Sequence, residues 1–484
     1  MPAQPTPAST RGAAPTDGDE RSHGAPPHPH LSGLQATYTC WSGCGERYPL
    51  TEVRYRCARC GGLLDVQHDV AALKGWSGAA WRGLFDRRAL RARPEVPLPA
   101  SGVWSKREWV YPTIEDAHIV SLGEGETSLC PLPRLGERLG VRDLWIKQCG
   151  HGPTGSFKDL GMTVLVSVVN QINQLRRAGG GTPIPAVACA STGDTSAALA
   201  AYAAAAGIPA LVFLPAGKVS DEQLTQPLAS HALTAALDTD FDGCMALCAA
   251  FCERHGVYLA NSMNPLRMEG QKTLAVEVCQ QLGWQAPDVL VVPGGNLGNV
   301  TAIGKGFALL VQLGLIERAP RLVVAQAAHA DPLYRAFMDG WRYQPQTARP
   351  TQASAIRIGA PVNVHKAIAT LQQNGGLVGE ASEDEITAAC LMGDRHGLYA
   401  DPHTGVALAV LAKLVAAGSV SQSARVVVVS TAHGLKFGAL KRDFHTGALS
   451  TESDPLADAR NRPLLIPASL QALEDTLLPR LQRG

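Results

Sequence analysis

The chain has 484 residues, and its 43 Lys plus Arg nearly cancel 42 Asp plus Glu, leaving a formal charge of +1. That length exceeds what one hydrophobic core usually organises, and the balance gives no global attraction for nucleic acid or an anionic membrane. Roughly two or three domains are expected, and any anion binding must be local. Twelve scattered cysteines point to a reducing compartment rather than a disulfide framework.

Residues 1–34 are rich in Pro, Ala, Ser, Thr, Gly and His without apolar periodicity, so disorder is expected there. They lack the apolar centre of a secretory signal, and Asp17, Asp19 and Glu20 argue against a transit peptide; a cytoplasmic location is expected. Residues 35–70 form a Cys/Gly/Tyr-rich module in which Cys40, Cys44, Cys57 and Cys60 stand as Cys-x3-Cys-x12-Cys-x2-Cys. Two close pairs, each followed by Gly, resemble a zinc ribbon with a structural Zn2+. Free thiols are the alternative, because the first spacing is looser than Cys-x2-Cys. Residues 71–140 carry Trp76, Trp81, Trp104 and Trp109 and read as an N-terminal region packed on the part that follows.

From 141 to 445, short β-branched runs at 186–190, 210–214, 288–292, 321–326 and 426–429 alternate with Ala/Leu-rich helical segments. That alternation predicts an α/β fold with parallel sheets. The uncharged run from Thr195 to Gly217 is long enough for a bilayer, but it is mostly Ala and is broken by Gly207-Ile208-Pro209. It predicts a buried helix over 195–206 and a core strand over 210–214, with no membrane partner. Cys244, Cys248 and Cys252 lie four apart on a predicted helix; a buried face is favoured over a ligand row. Residues 446–484 form a C-terminal tail or helix.

Ligands of parallel α/β folds bind beyond the carboxyl ends of the strands. Three such loops carry unusual residues: Ser191-Thr192-Gly193-Asp194-Thr195, Pro293-Gly294-Gly295-Asn296-Leu297-Gly298-Asn299 and Ser430-Thr431-Ala432-His433-Gly434. The glycine loop lets a backbone approach an anion at a helix start, so a phosphate is its natural guest, although a tight turn alone would look the same. It matches neither the dinucleotide fingerprint nor the P-loop. Lys158, between Phe157 and Asp159 at a predicted helix start, faces an unfavourable dipole that lowers its pKa and suits a nucleophilic amine. Phosphate cradle, activatable lysine and hydroxyl-rich loop together match what pyridoxal 5'-phosphate and an amino-acid carboxylate require.

Five segments then become specific: Gly-Ser-Phe-Lys-Asp-Leu-Gly (155–161), Ala-Ser-Thr-Gly-Asp-Thr-Ser-Ala-Ala (190–198), Asn-Pro-Leu-Arg-Met-Glu-Gly-Gln-Lys-Thr (264–273), Pro-Gly-Gly-Asn-Leu-Gly-Asn (293–299) and Ser-Thr-Ala-His-Gly-Leu-Lys-Phe (430–437). Through them the chain resembles the threonine synthases of the fold-type II pyridoxal-phosphate family, closest to the plant-like branch, from about 75 to 445. The resemblance implies two α/β domains with twisted, mostly parallel sheets, the smaller inserted at about 185–300 of the catalytic core, beside the zinc-ribbon-like extension. It implies that Lys158 carries the cofactor and shuttles protons, with Phe157 beside it. Gly295, Asn296, Leu297, Gly298 and Asn299 would cradle the cofactor phosphate, and Thr431 would face the ring nitrogen.

Asp194 stands where many relatives have Asn, opposite the ring's phenolic oxygen; an anionic carboxylate there would repel a phenolate unless a proton is shared or the side chain turns away. The implied substrate is O-phospho-L-homoserine, converted with water to L-threonine and phosphate. Ser191, Thr192 and Thr195 would take its carboxylate, and Asn261, Ser262, Arg267 and Lys272 its phosphate, where a guanidinium offers a bidentate fork. In the plant-like branch S-adenosylmethionine is an activator, and 81–87 with 102–106 resemble that region; a homodimer is also implied. A dehydratase of the same fold and a nucleic-acid-binding protein are the competing readings. Segment 261–273 argues against the first, the balanced charge against the second.

Overall fold

Strands covered by helices on both faces exclude polar side chains from either face, and the β-branched runs take up that arrangement. The computed structural model describes residues 33–89, 101–191, 193–217, 221–449 and 460–481. Residues 1–32, where disorder is expected, and Thr192 lie outside the described residues. From Leu34 onward the chain clusters as one unit.

An antiparallel sheet of β1 (Ala36–Cys40), β2 (Arg47–Pro49) and β3 (Leu64–His68), ordered β2-β1-β3, forms the N-terminal module. A second sheet starts with β4 (Leu129–Pro131) and β5 (Asp143–Gln148). The chain then leaves to build a four-stranded parallel sheet from β6 (Val187–Ala190), β7 (Ala210–Pro215), β8 (Leu233–Leu237) and β9 (Tyr258–Leu259), ordered β8-β7-β6-β9. It returns with β10 (Val289–Pro293), β11 (Arg321–Ala327), β12 (Leu377–Ala381) and β13 (Arg425–Ser430) to complete a six-stranded sheet, β12-β11-β10-β13-β5-β4. That sheet is parallel except where β4 pairs antiparallel with β5.

The strands of the smaller sheet thus end at Leu259, and β10, inside the 185–300 range expected for the insertion, lies between β11 and β13 of the larger sheet. All five β10 residues are buried, as a central strand covered on both faces requires. The glycine loop therefore hangs from the large sheet. The uncharged run becomes the helix Asp194–Ala205 followed by β7, and no helix among the described residues is long and apolar enough to cross a membrane. Cys244, Cys248 and Cys252 line the buried face of the helix Phe241–His255 and pack with Ala188, Ala190 and Leu259.

Two helices bring the sheets' loops together. The helix Lys158–Ala178 packs against the short helix Pro265–Gln271 at backbone contact. A Cβ on Gly270 would lie 1.6 Å from the Leu160 carbonyl oxygen, and one on Gly161 would lie 2.9 Å from the Arg267 carbonyl oxygen. Only hydrogens at both positions allow so close an approach. From the other side Trp104 Nε1 donates to Thr163 Oγ1 at 2.7 Å, and Trp81, Phe85 and Trp109 pack edge to face beneath it. The tryptophan-rich region is thus a buttress for the Lys158 helix.

Behind the short helix lies a buried ion cluster. Glu269 accepts from His68 Nε2 at 2.7 Å and from Lys305 Nζ at 2.6 Å, and pairs with Lys272. Lys305 also reaches Asp65 at 3.0 Å. Burial alone would raise the Glu269 carboxyl, but the ammonium groups of Lys272 and Lys305 hold it well below the carboxylate range. Burial and the Lys272 charge push His68 down to about 4, so the ring is neutral at pH 7. β3, the short helix and the glycine-loop helix Gly298–Gln312 meet in this cluster.

Gly270→Ala should cost about 1–3 kcal/mol of stability, because the added methyl must displace backbone rather than a flexible side chain. Urea unfolding checks this. An unchanged midpoint would show that the two helices separate freely.

Candidate active site

The Lys158 loop is fixed from both ends. Asp159, in the first turn of the helix, accepts from Thr154 N at 3.0 Å and Thr154 Oγ1 at 2.5 Å, so the loop 154–158 folds back over its own helix start. An acid there also suits the positive end of the helix. The same loop is zipped to the loop after β13: Phe157 N donates to Thr431 O and His433 N to Gly155 O, both at 2.9 Å, and Ser156 bridges Ala432. This places Thr431 beside Phe157. Ser430 is held in turn by Thr404, whose hydroxyl lies 3.0 Å from its own.

Lys158 Nζ lies 3.8 Å from the centroid of the Phe157 ring. Its ammonium is held down to about 7, chiefly by burial, with Arg267 and Lys436 acting in the same direction and Asp194 opposing. The amine is therefore partly neutral at physiological pH, as a nucleophile requires.

The glycine loop runs from β10 into Gly298–Gln312. Gly294 N donates to Ala325 O, and Asn296 is fixed by Asn363 N and Val362 N, on its carbonyl and side-chain oxygens respectively. Leu297 takes the left-handed conformation at φ 62°, which a branched side chain adopts only when its surroundings enforce it. A Cβ on Gly295 would come within 3.0 Å of Ile356 Cα. Asn299 is buried, and neither its Nδ2 nor its Oδ1 has a partner. Bent backbone at a helix start with an unsatisfied amide suits a phosphate. The residues present therefore fit pyridoxal 5'-phosphate.

Arg267 is the second anion feature. It is only 4 % exposed; one terminal nitrogen donates to Ala260 O at 3.1 Å and the other approaches Thr195 Oγ1 at 3.5 Å, while Nε is unsatisfied. No carboxylate of the described residues pairs with it. Burying a guanidinium without a counter-ion is costly, so the site is built for a guest anion.

The remaining expected residues divide. Ser191 Oγ accepts from Gly193 N and Ser196 N at 3.3 Å, which shapes the helix start beside Thr195. Ser262 contributes its carbonyl to Asn363 Nδ2 at 3.3 Å and leaves its hydroxyl available. Asn261 exchanges two hydrogen bonds with the Ala190 backbone, 3.1 and 2.9 Å, so its amide closes the end of β6 rather than projecting toward Arg267. Lys272 is buried in the ion cluster with Glu269 and His68. Asp194, whose charge posed a problem in the sequence, has Lys436 Nζ 2.8 Å from its Oδ1.

Sequence reasoning missed Lys436, Asn363 and the Gly161/Gly270 pair. Lys436 and both glycines stand inside the motif segments quoted for the resemblance, and a lysine so near Thr431 was a usable signal. Asn363 carries no local pattern that marks it.

The four module thiols converge. Cys40 and Cys60 Sγ are 3.3 Å apart, Cys44 and Cys57 3.4 Å, Cys44 and Cys60 3.7 Å, and all four lie within 4.8 Å of one another. Thiolates at about 2.3 Å from a tetrahedral zinc would stand roughly 3.8 Å apart, so this donor set fits the metal.

The Lys158 amine must be neutral to attack an aldehyde. With its value near 7 instead of the ordinary 10.5, uptake of added pyridoxal 5'-phosphate by cofactor-free protein should rise with pH through about 7 and level off above it. Rapid-mixing absorbance measures this; a rate still climbing toward pH 10 would contradict the buried geometry.

Comparison with known proteins places this geometry. Residues 120–432 match the family model described as pyridoxal-phosphate dependent enzyme. The chain is 48 % identical to threonine synthase 2, chloroplastic, of Arabidopsis thaliana, over 93 % of this chain and 86 % of that protein. It is 38 % identical to the threonine synthase of Methanocaldococcus jannaschii, over 81 % and 91 %. Among solved structures, threonine synthase from Escherichia coli superposes with a TM-score of 0.61 at 20 % identity, covering 92 % of this chain and 100 % of that one. Threonine deaminase isoform 2 from Solanum lycopersicum gives 0.56 at 18 %, covering 67 % and 84 %. Those two structures speak to the fold alone, which deaminases share; the close sequence relatives are more specific. The chain belongs to the threonine synthase family of pyridoxal-phosphate-dependent enzymes.

Proposed function

We propose that this site converts O-phospho-L-homoserine and water to L-threonine and inorganic phosphate. The observation that carries the reading is the buried Arg267 guanidinium, which lacks a carboxylate partner among the described residues yet acts electrostatically on the Lys158 amine. When bound, pyridoxal 5'-phosphate supplies an electron sink that acidifies the carbons next to the substrate's amino group. The backbone of Gly295 to Gly298 and the Asn299 amide would hold its phosphate, and the neutral Thr431 hydroxyl would meet its ring nitrogen without imposing a charge. Lys158 Nζ would take the α-proton and then the β-proton that departure of the γ-phosphate requires, and return protons to the γ- and α-carbons as the hydroxyl of water adds at the β-carbon, a role its lowered pKa supports.

Ser191 and Thr195, with Thr192, orient the substrate carboxylate at the start of Asp194–Ala205. Arg267 and the Ser262 hydroxyl take the substrate's phosphate and hold it as it departs. Asn261 and Lys272 support this machinery from behind, Asn261 by closing β6 and Lys272 by compensating Glu269. Trp81 and Trp104, in the segments expected near an S-adenosylmethionine effector, are closed inside the fold and serve as packing groups in this reading. The working unit is a homodimer, supported by the exposed Leu470, Leu473, Leu477 and Leu481 of the helix Leu470–Leu481, apolar surface that a second copy would cover.

Arg267→Met should cut kcat/KM for phosphate release from O-phospho-L-homoserine by about tenfold to a hundredfold, the worth of a charge-assisted contact, while cofactor uptake persists. Keto-acid formation from threonine, with no phosphate release from O-phospho-L-homoserine, would instead mark a dehydratase.

The four-cysteine module takes one structural Zn2+ in the same reading. Elemental analysis should find one zinc per chain, and Cys40→Ser with Cys57→Ser should abolish it; a metal-free wild type of unchanged stability would refute the assignment.

A further inference from the structure

One ammonium joins three loops across the cleft between the two parallel sheets. Lys436 lies in the short turn Gly434–Phe437 that follows β13 of the six-stranded sheet. Its Nζ stands 2.8 Å from Asp194 Oδ1, at the start of the helix that follows β6 of the four-stranded sheet. The same Nζ donates to Thr154 O at 2.9 Å, in the loop that carries Lys158. Its stem passes over Gly155, where a Cβ would meet Lys436 Cδ at 2.9 Å. Lys436 is largely withdrawn from solvent and Asp194 is buried, so the pair is neither screened nor free to rearrange as a surface ion pair would be.

We propose that Lys436 is a positioning residue for the cofactor: it compensates the Asp194 carboxylate, which can then stand opposite the cofactor's phenolic oxygen, and it locks the Lys158 loop to the facing sheet. The inference rests on the reading that pyridoxal 5'-phosphate binds at Lys158. It answers the repulsion between an aspartate and a phenolate, since the approaching oxygen meets an ion pair and not a lone anion. It also bears on Lys158. The charges that act on that amine are Arg267 from the helix Pro265–Gln271, Asp194 from the helix Asp194–Ala205 and Lys436 from the β13 turn. Asp159, on the helix of Lys158 itself, feels Lys436 and Glu124. Removing the Lys436 cation takes away one group that favours the neutral amine and exposes a carboxylate that favours the ammonium. Both changes act in the same direction.

The test uses full-length protein freed of cofactor, with the rate and amplitude of the visible absorbance that develops on adding pyridoxal 5'-phosphate followed against pH. Lys436→Met should move the midpoint upward, so that uptake at pH 7 slows about tenfold. Lys436→Arg should stay near the wild type, and Lys436→Met combined with Asp194→Asn should recover toward it, because the bare carboxylate is gone. A role in packing alone would not produce that recovery. One midpoint shared by wild type and Lys436→Met would overturn the proposal, whereas a wild type that takes up no cofactor would overturn the cofactor reading beneath it. If Lys436→Met proves unfolded by circular dichroism, Asp194→Asn alone decides: its midpoint should fall below that of the wild type, and an unmoved midpoint overturns the proposal.

Discussion

The site depends on a contact that involves no functional group. Where the Lys158 helix crosses the helix carrying Arg267, Gly161 and Gly270 let backbone touch backbone, down to a Leu160 carbonyl that no Cβ could clear. Packing with side chains in between would hold helix axes some 8–10 Å apart. Here the missing side chains draw Arg267 toward the Lys158 amine, close enough for the guanidinium to disfavour the ammonium form of the lysine. Burial and that charge pull in one direction on Lys158, and burial brings Arg267 itself down to about 10. A buried guanidinium beside an amine that readily gives up its proton leaves a cationic interior, which a phosphorylated amino acid bound to a phosphorylated cofactor would offset.

Asp194 and Lys436 fit into the same charge pattern. Of the groups that act on Lys158, Asp194 is the one anion, and Lys436 offsets it, so the cleft stays cationic. A free carboxylate would weaken the field that Arg267 provides and bind the lysine in its charged form. The Lys436–Asp194 pair lets the fold keep an oxygen acceptor at that position without those consequences, and it does so through a residue from the opposite sheet, so electrostatic compensation and closure of the cleft are one interaction.

How much of this was legible in the sequence follows from what each feature depends on. That the glycine loop and Thr431 follow strands and that Lys158 opens a helix was legible because each placement is local: a strand end, a helix start and a few Gly or hydroxyl residues in a row. The strands at 187–190, 210–215, 321–327 and 425–430 were legible for the same reason, in runs of buried β-branched or small apolar residues. Which sheet β10 would join was not, because an all-buried valine run suits the centre of either. Nor was the direction of Asn261 and Lys272. Both lie in the right segment, yet Asn261 turns to a backbone 71 residues away and Lys272 to a histidine 204 residues away. Side-chain direction at such separations is decided by tertiary packing, and no spacing within the segment encodes it.

The N-terminal module is tied to the site by long-range contacts of the same kind. β3 supplies Asp65 and His68, the short helix supplies Glu269, and the glycine-loop helix supplies Lys305, so one cluster ties the module to both helices. Removing the buried Glu269 carboxylate would leave Lys272 and Lys305 without it in surroundings where an unpaired ion is costly, so the cluster couples the three elements energetically. Lys366, from a further helix, donates to Leu64 O in β3 and closes the arrangement from outside. A small sheet with four converging thiols at one end is thus tied, through β3, to the helix that carries Arg267.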